Sequence, residues 1–390
     1  MWPKTEAQAE LLATAESLAA RFAETAAQHD RDGSFPFEHF DAMREAGYLA
    51  AAVPRESGGG GHPLSDLALA QIALGRGDGS TALSVGMHHM VIGNEATARS
   101  WPEALRERIF REVVERGALI NNIAAEPEMG SPRSGGRPKT SLTPAGPGRW
   151  RLNGQKTFST LSPVLTYAIV YAAVEDGSGD VARVAVRCDQ RAVRIEETWD
   201  ALGMRATGSH DMVFENVEVT DDDFTSRRDP KQAPVPVLSE AWFPLLVAAA
   251  NLGVAEAARD YTVHFARTRQ PTGAPDPIAK IPHVREQIGR MQAALVAAKT
   301  VLLTAAEDWE AQPDAGSPAS AQIPIAKRLA TNTAVEVTDV AMRVVGGVAM
   351  HRSEPLERYF RDVRSGLVNP PIEARALEQI AAPLLDRPPD

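Results

Sequence analysis

Between Ala118 and Val219 the hydrophobic period of the chain changes from three or four residues to two, and a chain with such a switch must build a sheet between helical segments. The flanks are alanine-rich and helical in pattern. Inside the stretch, short alternating runs follow one another: "ALINNIAAEPEMGS", "RWRLNGQKTFST", "LTYAIVYAAV", "VARVAVR" and "WDALGMRATGSHDMVFENVEV". They predict the strands of a small antiparallel β-barrel set between two helical domains, an α+β fold. Within it, residues 125–131 ("AEPEMGS") and 153–160 ("NGQKTFST") are polar, small-residue segments beside buried strands. Such a composition suits a wall that lies against a flat polar heterocycle.

With 390 residues, 44% apolar and 24% charged, the chain is long enough for two or three domains with sizeable cores. No apolar run reaches the roughly 18 residues of a membrane span. The N-terminus lacks the basic-then-apolar order of a secretory signal, so a cytoplasmic protein is expected. Cys188 is the only cysteine, which excludes an intramolecular disulfide and a thiolate metal cluster, and no metal site is expected. The net charge of -10 is spread over interspersed acids and bases, unlike a nucleic-acid footprint.

Leu11, Ala15, Leu18, Phe22 and Ala26 lie on one stripe and predict a helix over about Glu6 to His29. A shorter helix follows Pro36 and stops at Gly47, where glycine can take a left-handed conformation. "VPRESGGGG", from Val53 to Gly61, reads as a connector, because no strand-turn-helix context surrounds it. Two helices follow over about Ser65 to Gly75 and Ser80 to Arg99, and Leu105, Ile109 and Val113 mark another. The second of that pair carries His88 and His89. Adjacent on a helix, they point about 100 degrees apart and cannot share one metal. The bland expectation is that one packs in the core and the other is exposed; the sharper one is that one of them lines a pocket.

The charged, proline-bearing segment from Asp221 to Pro236 reads as a linker. Beyond it, helices over about Ser239 to Thr268, Pro282 to Glu310, Ala319 to Val345 and Ile372 to Leu385 predict a C-terminal four-helix bundle. The expected division is 1–117 (helical), 118–225 (barrel) and 237–390 (bundle).

"AEPEMGS", "LNGQKTFST" and "WDALGMRATGSHDMVFENVEV", in this order and at these separations, resemble the three middle-domain signatures of the acyl-CoA dehydrogenase family. Each is weak alone and together they are specific. The flanking helices match that family's layout, so the resemblance covers nearly the whole chain. It implies a flavoprotein with FAD as cofactor and an acyl-CoA or other acyl thioester as substrate. By resemblance, Thr160 offers a hydroxyl to the flavin N5 edge, Phe158 stacks an aromatic near the ring in place of the usual Trp, and Gly130 and Ser131 form the phosphate-side turn. The other half of such a site comes from a neighbouring subunit. Arg269 matches the arginine that meets the cofactor pyrophosphate, and Gly346 with Gly347 matches a glycine pair permitting close backbone approach. A homotetramer or homodimer is therefore implied.

Departures from the family pattern are equally specific. Ala125 stands where a threonine usually faces the flavin, a loss of about 0.5 to 1.5 kcal/mol for one hydrogen bond. Thr272, Arg343, Ile372 and Ala374 replace the usual groups at the adenine end. The catalytic glutamate falls on Pro370, and the alternative base position used by some members falls on Phe243. Glu240 and Glu373 are the displaced-base candidates, each with the competing reading of a solvated helix-start carboxylate. The substrate pocket implied by the resemblance takes in His88, His89, Phe243 and Asn369.

Three functions stay open at this point. The first is α,β-dehydrogenation of an acyl thioester with hydride transfer to flavin N5. The second is a monooxygenase using reduced flavin and oxygen on the same fold, which needs no base for an α-proton and fits the His pair; the histidines that branch places in its C-terminal loop fall on Gly366 and Asn369 here. The third is a flavin-binding pseudoenzyme.

Overall fold

The computed structural model of the chain describes residues 2–128, 137–230, 241–313 and 319–386. Its N-terminal part is five helices: α1 (Glu6–Asp32), α2 (Phe37–Glu45), α3 (Leu64–Gly77), α4 (Gly79–Ala98) and α5 (Glu103–Arg116). The Thr5 side chain caps α1 by accepting from the Gln8 amide, and Gly33 ends it at a φ of 65°. The stripe from Leu11 to Ala26 is buried as the spacing predicts. Asp78 caps α4 by accepting from the Ser80 and Thr81 amides. Unlike α1, α4 is buried nearly all round, because α3, α6 and the sheet enclose it.

Eight strands follow: β1 (Ile120–Ile123), β2 (Ser141–Pro144), β3 (Arg149–Lys156), β4 (Tyr167–Val174), β5 (Val181–Arg187), β6 (Val193–Glu196), β7 (Asp211–Thr220) and β8 (Phe224–Arg228). The sheet runs β6-β7-β3-β2-β4-β5-β8, with β1 added on β4. Here the structure corrects the expected antiparallel barrel. The end strands β6 and β8 are not paired with each other among the described residues, and β1 and β2 both lie parallel to β4. Alternation tells which face of a strand is buried, not which strand it pairs with or whether a sheet closes.

The C-terminal part is α6 (Trp242–Thr268), α7 (Pro282–Ala311), α8 (Gln322–Val345), two short helices α9 (Leu356–Asp362) and α10 (Ser365–Val368), and α11 (Glu373–Leu385). Lys299 of α7 bonds Glu256 of α6, Arg259 of α6 bonds Gln292 of α7, and Gln322 at the start of α8 bonds Asp308 near the end of α7. Successive long helices are therefore antiparallel, and α11 rests on α8. Glycines set how closely α6 approaches its neighbours: a Cβ at Gly75 would lie 2.5 Å from the Ala250 carbonyl oxygen, and one at Gly93 would overlap the Trp242 ring. Among the described residues no helix is long and apolar enough to cross a membrane.

Candidate functional site

The wall begins where β3 ends. Phe158 and Leu161 both take positive φ, 54° and 73°. For bulky residues that conformation is uncommon and costs on the order of 1–3 kcal/mol each. Backbone bonds to the segment before β7 hold it: Ser159 N donates to His210 O (3.1 Å), Leu161 N to Thr207 O (3.2 Å) and Ser162 N to Gly208 O (3.2 Å). The result is that Phe158 stands 64% exposed, its ring edge-on to Trp199 with centroids 5.9 Å apart. Beside it the Thr160 hydroxyl lies 2.8 Å from Ser209 Oγ, which lies 2.7 Å from Thr207 Oγ1. The buried Ser159 hydroxyl has no partner. An open aromatic face, a chain of hydroxyls and an unpaired hydroxyl together fit a flat heterocycle with a hydrogen-bonding edge. Ala125, half-buried, accepts from Thr157 N at 3.0 Å, which places it next to this turn. Gly130 and Ser131 lie outside the described residues.

Sequence reasoning missed the ion pair that joins the two wall segments. Lys156 is fully buried and donates to Glu126 at 2.7 Å. The same carboxylate accepts from the Lys139 amide at 2.8 Å and the Thr140 amide at 3.0 Å. Burial pushes the Lys156 ammonium down to about 8 against the pull of Glu126. Burial also raises the Glu126 carboxyl, but the bonds from Lys156, Thr140 and Lys139 outweigh it and hold that group below its ordinary value. Opposite charges in the two motifs, Glu126 in the first and Lys156 in the second, were the signal available.

Leu83, Met87, Met204 and Val247, with Phe243 against them, form a small apolar cluster apart from the main core. Asp362 of α9 fixes the loop of Met204 by accepting from its amide at 2.6 Å. His88 faces the sheet: Nε2 donates to Leu49 O at 2.8 Å, and Nδ1 accepts from Ile120 N at 3.3 Å. A ring that accepts from a backbone amide must be neutral, and burial takes its pKa down to about 4. The expectation that the second histidine is exposed is corrected, since α4 has no open face there. His89 is buried with both ring nitrogens unpaired, edge-on to Tyr48 at 5.1 Å, whose hydroxyl is unpaired as well.

The loop that begins at α10 is held from behind. The buried Lys327 donates to Gly366 O (2.7 Å) and Pro371 O (2.9 Å), and Asn369 donates to Ser365 O at 2.9 Å. Gly366 sits against Asn251 and Thr331; a Cβ there would lie 2.9 Å from Asn251 Oδ1. Glu373 is tied to α8, accepting from Asn332 Nδ2 at 3.0 Å and Arg328 Nε at 2.8 Å. The Asn332 amide and the Arg328 guanidinium hold its carboxyl below the ordinary value. Glu240 lies outside the described residues.

Arg269 caps the far end of α6, a helix of 27 residues and so about 40 Å long at 1.5 Å per residue. Phe243 is at its opposite end. Gly346 and Gly347 follow α8, which the antiparallel packing brings to the Arg269 end, and a Cβ on either would meet nothing within 4 Å. One chain thus separates Phe243 from Arg269, and leaves the glycine pair open to approach.

Models of the acyl-CoA dehydrogenase N-terminal, middle and C-terminal domains match residues 5–116, 122–217 and 245–368. YdbM of Bacillus subtilis (strain 168), assigned by name to the acyl-CoA dehydrogenases, is 40% identical over 365 residues, which cover 94% of each chain. The L-evernosamine nitrososynthase of a Micromonospora species is 30% identical over 362 residues, covering 89% of this chain and 82% of its own. Among solved structures, KijD3 in complex with FMN and dTDP-3-amino-2,3,6-trideoxy-4-keto-3-methyl-D-glucose superposes with a TM-score of 0.83 at 29% identity, covering 100% of this chain and 96% of that one.

Proposed function

The chain belongs to the acyl-CoA dehydrogenase family, and from that premise we propose that it is a flavin-dependent oxidoreductase of the oxygen-using kind. Its substrates are reduced flavin, dioxygen and a small organic molecule seated against the cluster of Leu83, Met87, Phe243 and Val247. One observation carries the choice. At the position of the family glutamate stands Pro370, within a loop that Lys327 fixes through backbone carbonyls, and Glu373 is tied to α8. Removing a proton α to a thioester carbonyl needs a base there, and losing one costs about 100- to 10,000-fold. Delivering oxygen to a substrate does not.

When bound, the flavin supplies the electron-transfer chemistry. The chain's residues supply the setting: Phe158, braced edge-on by Trp199, offers an apolar ring face, and the Thr160, Ser209 and Thr207 hydroxyls hold a proton donor at the flavin edge. Arg269 and the Gly346–Gly347 backbone from a second copy receive the phosphate end, which makes the enzyme a homotetramer or homodimer. The adenine-end replacements, Thr272 and Arg343 among them, favour FMN over FAD. The relative that acts as a nitrososynthase and the FMN complex of KijD3 support this reading. The segments 1–117, 118–225 and 237–390 are the folding units that serve it.

Dehydrogenation of an acyl thioester is the second reading, favoured by the 40% identity to YdbM. An anaerobic absorbance screen of the flavin-loaded protein against a panel of acyl-CoA thioesters separates the two. No bleaching of the flavin band is expected with any of them. Bleaching by one thioester, without oxygen, would establish the dehydrogenase instead.

A further inference from the structure

Three side chains converge where the last turn of α1 meets the first turn of α2. His29 Nε2 is 2.6 Å from Glu38 Oε1, and His39 Nε2 is 3.8 Å from the same oxygen. The three ligand atoms all lie within 4.8 Å of one another. We propose that His29, Glu38 and His39 bind one divalent ion of the zinc class, which staples α1 to α2.

The surroundings prepare both rings for that task. Thr81 donates its hydroxyl proton to Asp78 Oδ2 at 2.6 Å, so its oxygen is left to accept from His39 Nδ1 at 2.7 Å. That fixes the tautomer in which the His39 Nε2 lone pair faces the cluster. His29 Nε2 donates to Glu38 in the ion-free protein, and Ser34 Oγ, 2.8 Å from Nδ1, can accept from that nitrogen once Nε2 turns its lone pair to an ion. Metal-binding histidines characteristically have their second nitrogen held in this way, which orients the ring and raises its basicity. His39 is also held rigid by stacking on Phe22, with centroids 4.3 Å apart. Two imidazoles and a carboxylate are a zinc donor set, with bonds of about 2.0 to 2.2 Å. Ligand atoms on such a tetrahedral ion lie roughly 3.3 to 3.6 Å apart, so His29 Nε2 and Glu38 Oε1 open and His39 Nε2 closes slightly, each by about an ångström or less.

Access and charge agree with the assignment. His39 is buried, whereas the Glu38 side chain is 53% exposed, which leaves an entry path and a fourth position for water. Thr25 Oγ1, 2.8 Å from His39 Nε2 and 3.1 Å from Glu38 Oε1, fills the gap between them when no ion is bound. Gly33, with a φ of 65°, makes the turn that brings the two helix ends together. Thr81 and Asp78 then connect the site to the N-cap of α4.

The test is a zinc titration of the full-length protein in competition with a chromophoric chelator, on the wild type and on His29→Ala, Glu38→Ala and His264→Ala. One zinc per chain is expected for the wild type, at least about ten-fold weaker in His29→Ala and Glu38→Ala, and unchanged in His264→Ala, a surface histidine on α6. Zinc should raise the melting temperature of the wild type and leave that of His29→Ala where it is. Glu38 is 53% exposed, so Glu38→Ala leaves the packing in place and keeps the test decisive should His29→Ala, whose side chain is 14% exposed, prove unstable. Binding that survives undiminished in either, or that falls equally in His264→Ala, would overturn the assignment, as would a wild type that takes up no stoichiometric zinc.

Discussion

His88 shows how a residue that suggests chemistry can be fixed by structure. Its neutral ring joins α4 to Leu49 and to the first strand, and protonation would break the bond from the Ile120 amide. The folded-state pKa is about 4 against an ordinary 6.5, so between these values the unfolded chain binds more protons. Its stabilisation is complete above about 6.5 and is lost as the pH falls towards 4, a change of about 3 kcal/mol. Urea midpoints measured across that range should fall steeply for the wild type and less steeply for His88→Gln. Lys156 gives a second test at this scale. Lys156→Met leaves Glu126 buried beside backbone amides alone and is expected to cost about 3–5 kcal/mol, read by chemical denaturation. The Lys156→Met, Glu126→Gln double variant should recover much of it. Such roles were not legible in the sequence, because they depend on which buried groups a residue meets. Phe158 and Thr160 could be singled out by motif, but the positive φ that turns Phe158 outward could not. His29 and His39 went unread for the same reason: only the turn at Gly33 brings them together.

At the scale of elements, the long helices were legible nearly to their ends, because they run long enough to show a hydrophobic pattern, and α1 and α5 end at the glycines Gly33 and Gly117. The short α9 and α10 were not, since one or two turns give no period to count. Strand pairing was hidden too: β1 and β2 look alike in pattern to strands that pair antiparallel, yet both run parallel to β4. The contact between α4 and α6 makes a prediction of its own. A Cβ at Gly93 would lie within 2.5 Å of three Trp242 ring carbons, so Gly93→Ala must displace that ring and with it the start of α6. A loss of about 1–3 kcal/mol is expected, with a shifted tryptophan emission.

Several large apolar side chains in the last part of the chain are exposed among the described residues. Met350, Val368, Ile372, Leu377, Leu384 and Leu385 are all exposed near the C-terminus, and α11 buries Ala376 alone. Exposed apolar residues of this kind occur at association surfaces, in keeping with the proposal that a second copy completes the site. Leu384→Glu with Leu385→Glu should therefore lower the mass measured by light scattering and weaken flavin binding together. The proposed flavin lies against Phe158 and is held at its phosphate end by Arg269 of another copy, and a fluorescence titration of FMN and of FAD tests this directly. Quenching should saturate at one flavin per chain, with Phe158→Ala and Arg269→Glu each weakening binding by at least about ten-fold, the loss of roughly 1.4 kcal/mol. A wild type that does not quench, or two variants that bind as it does, would contradict it.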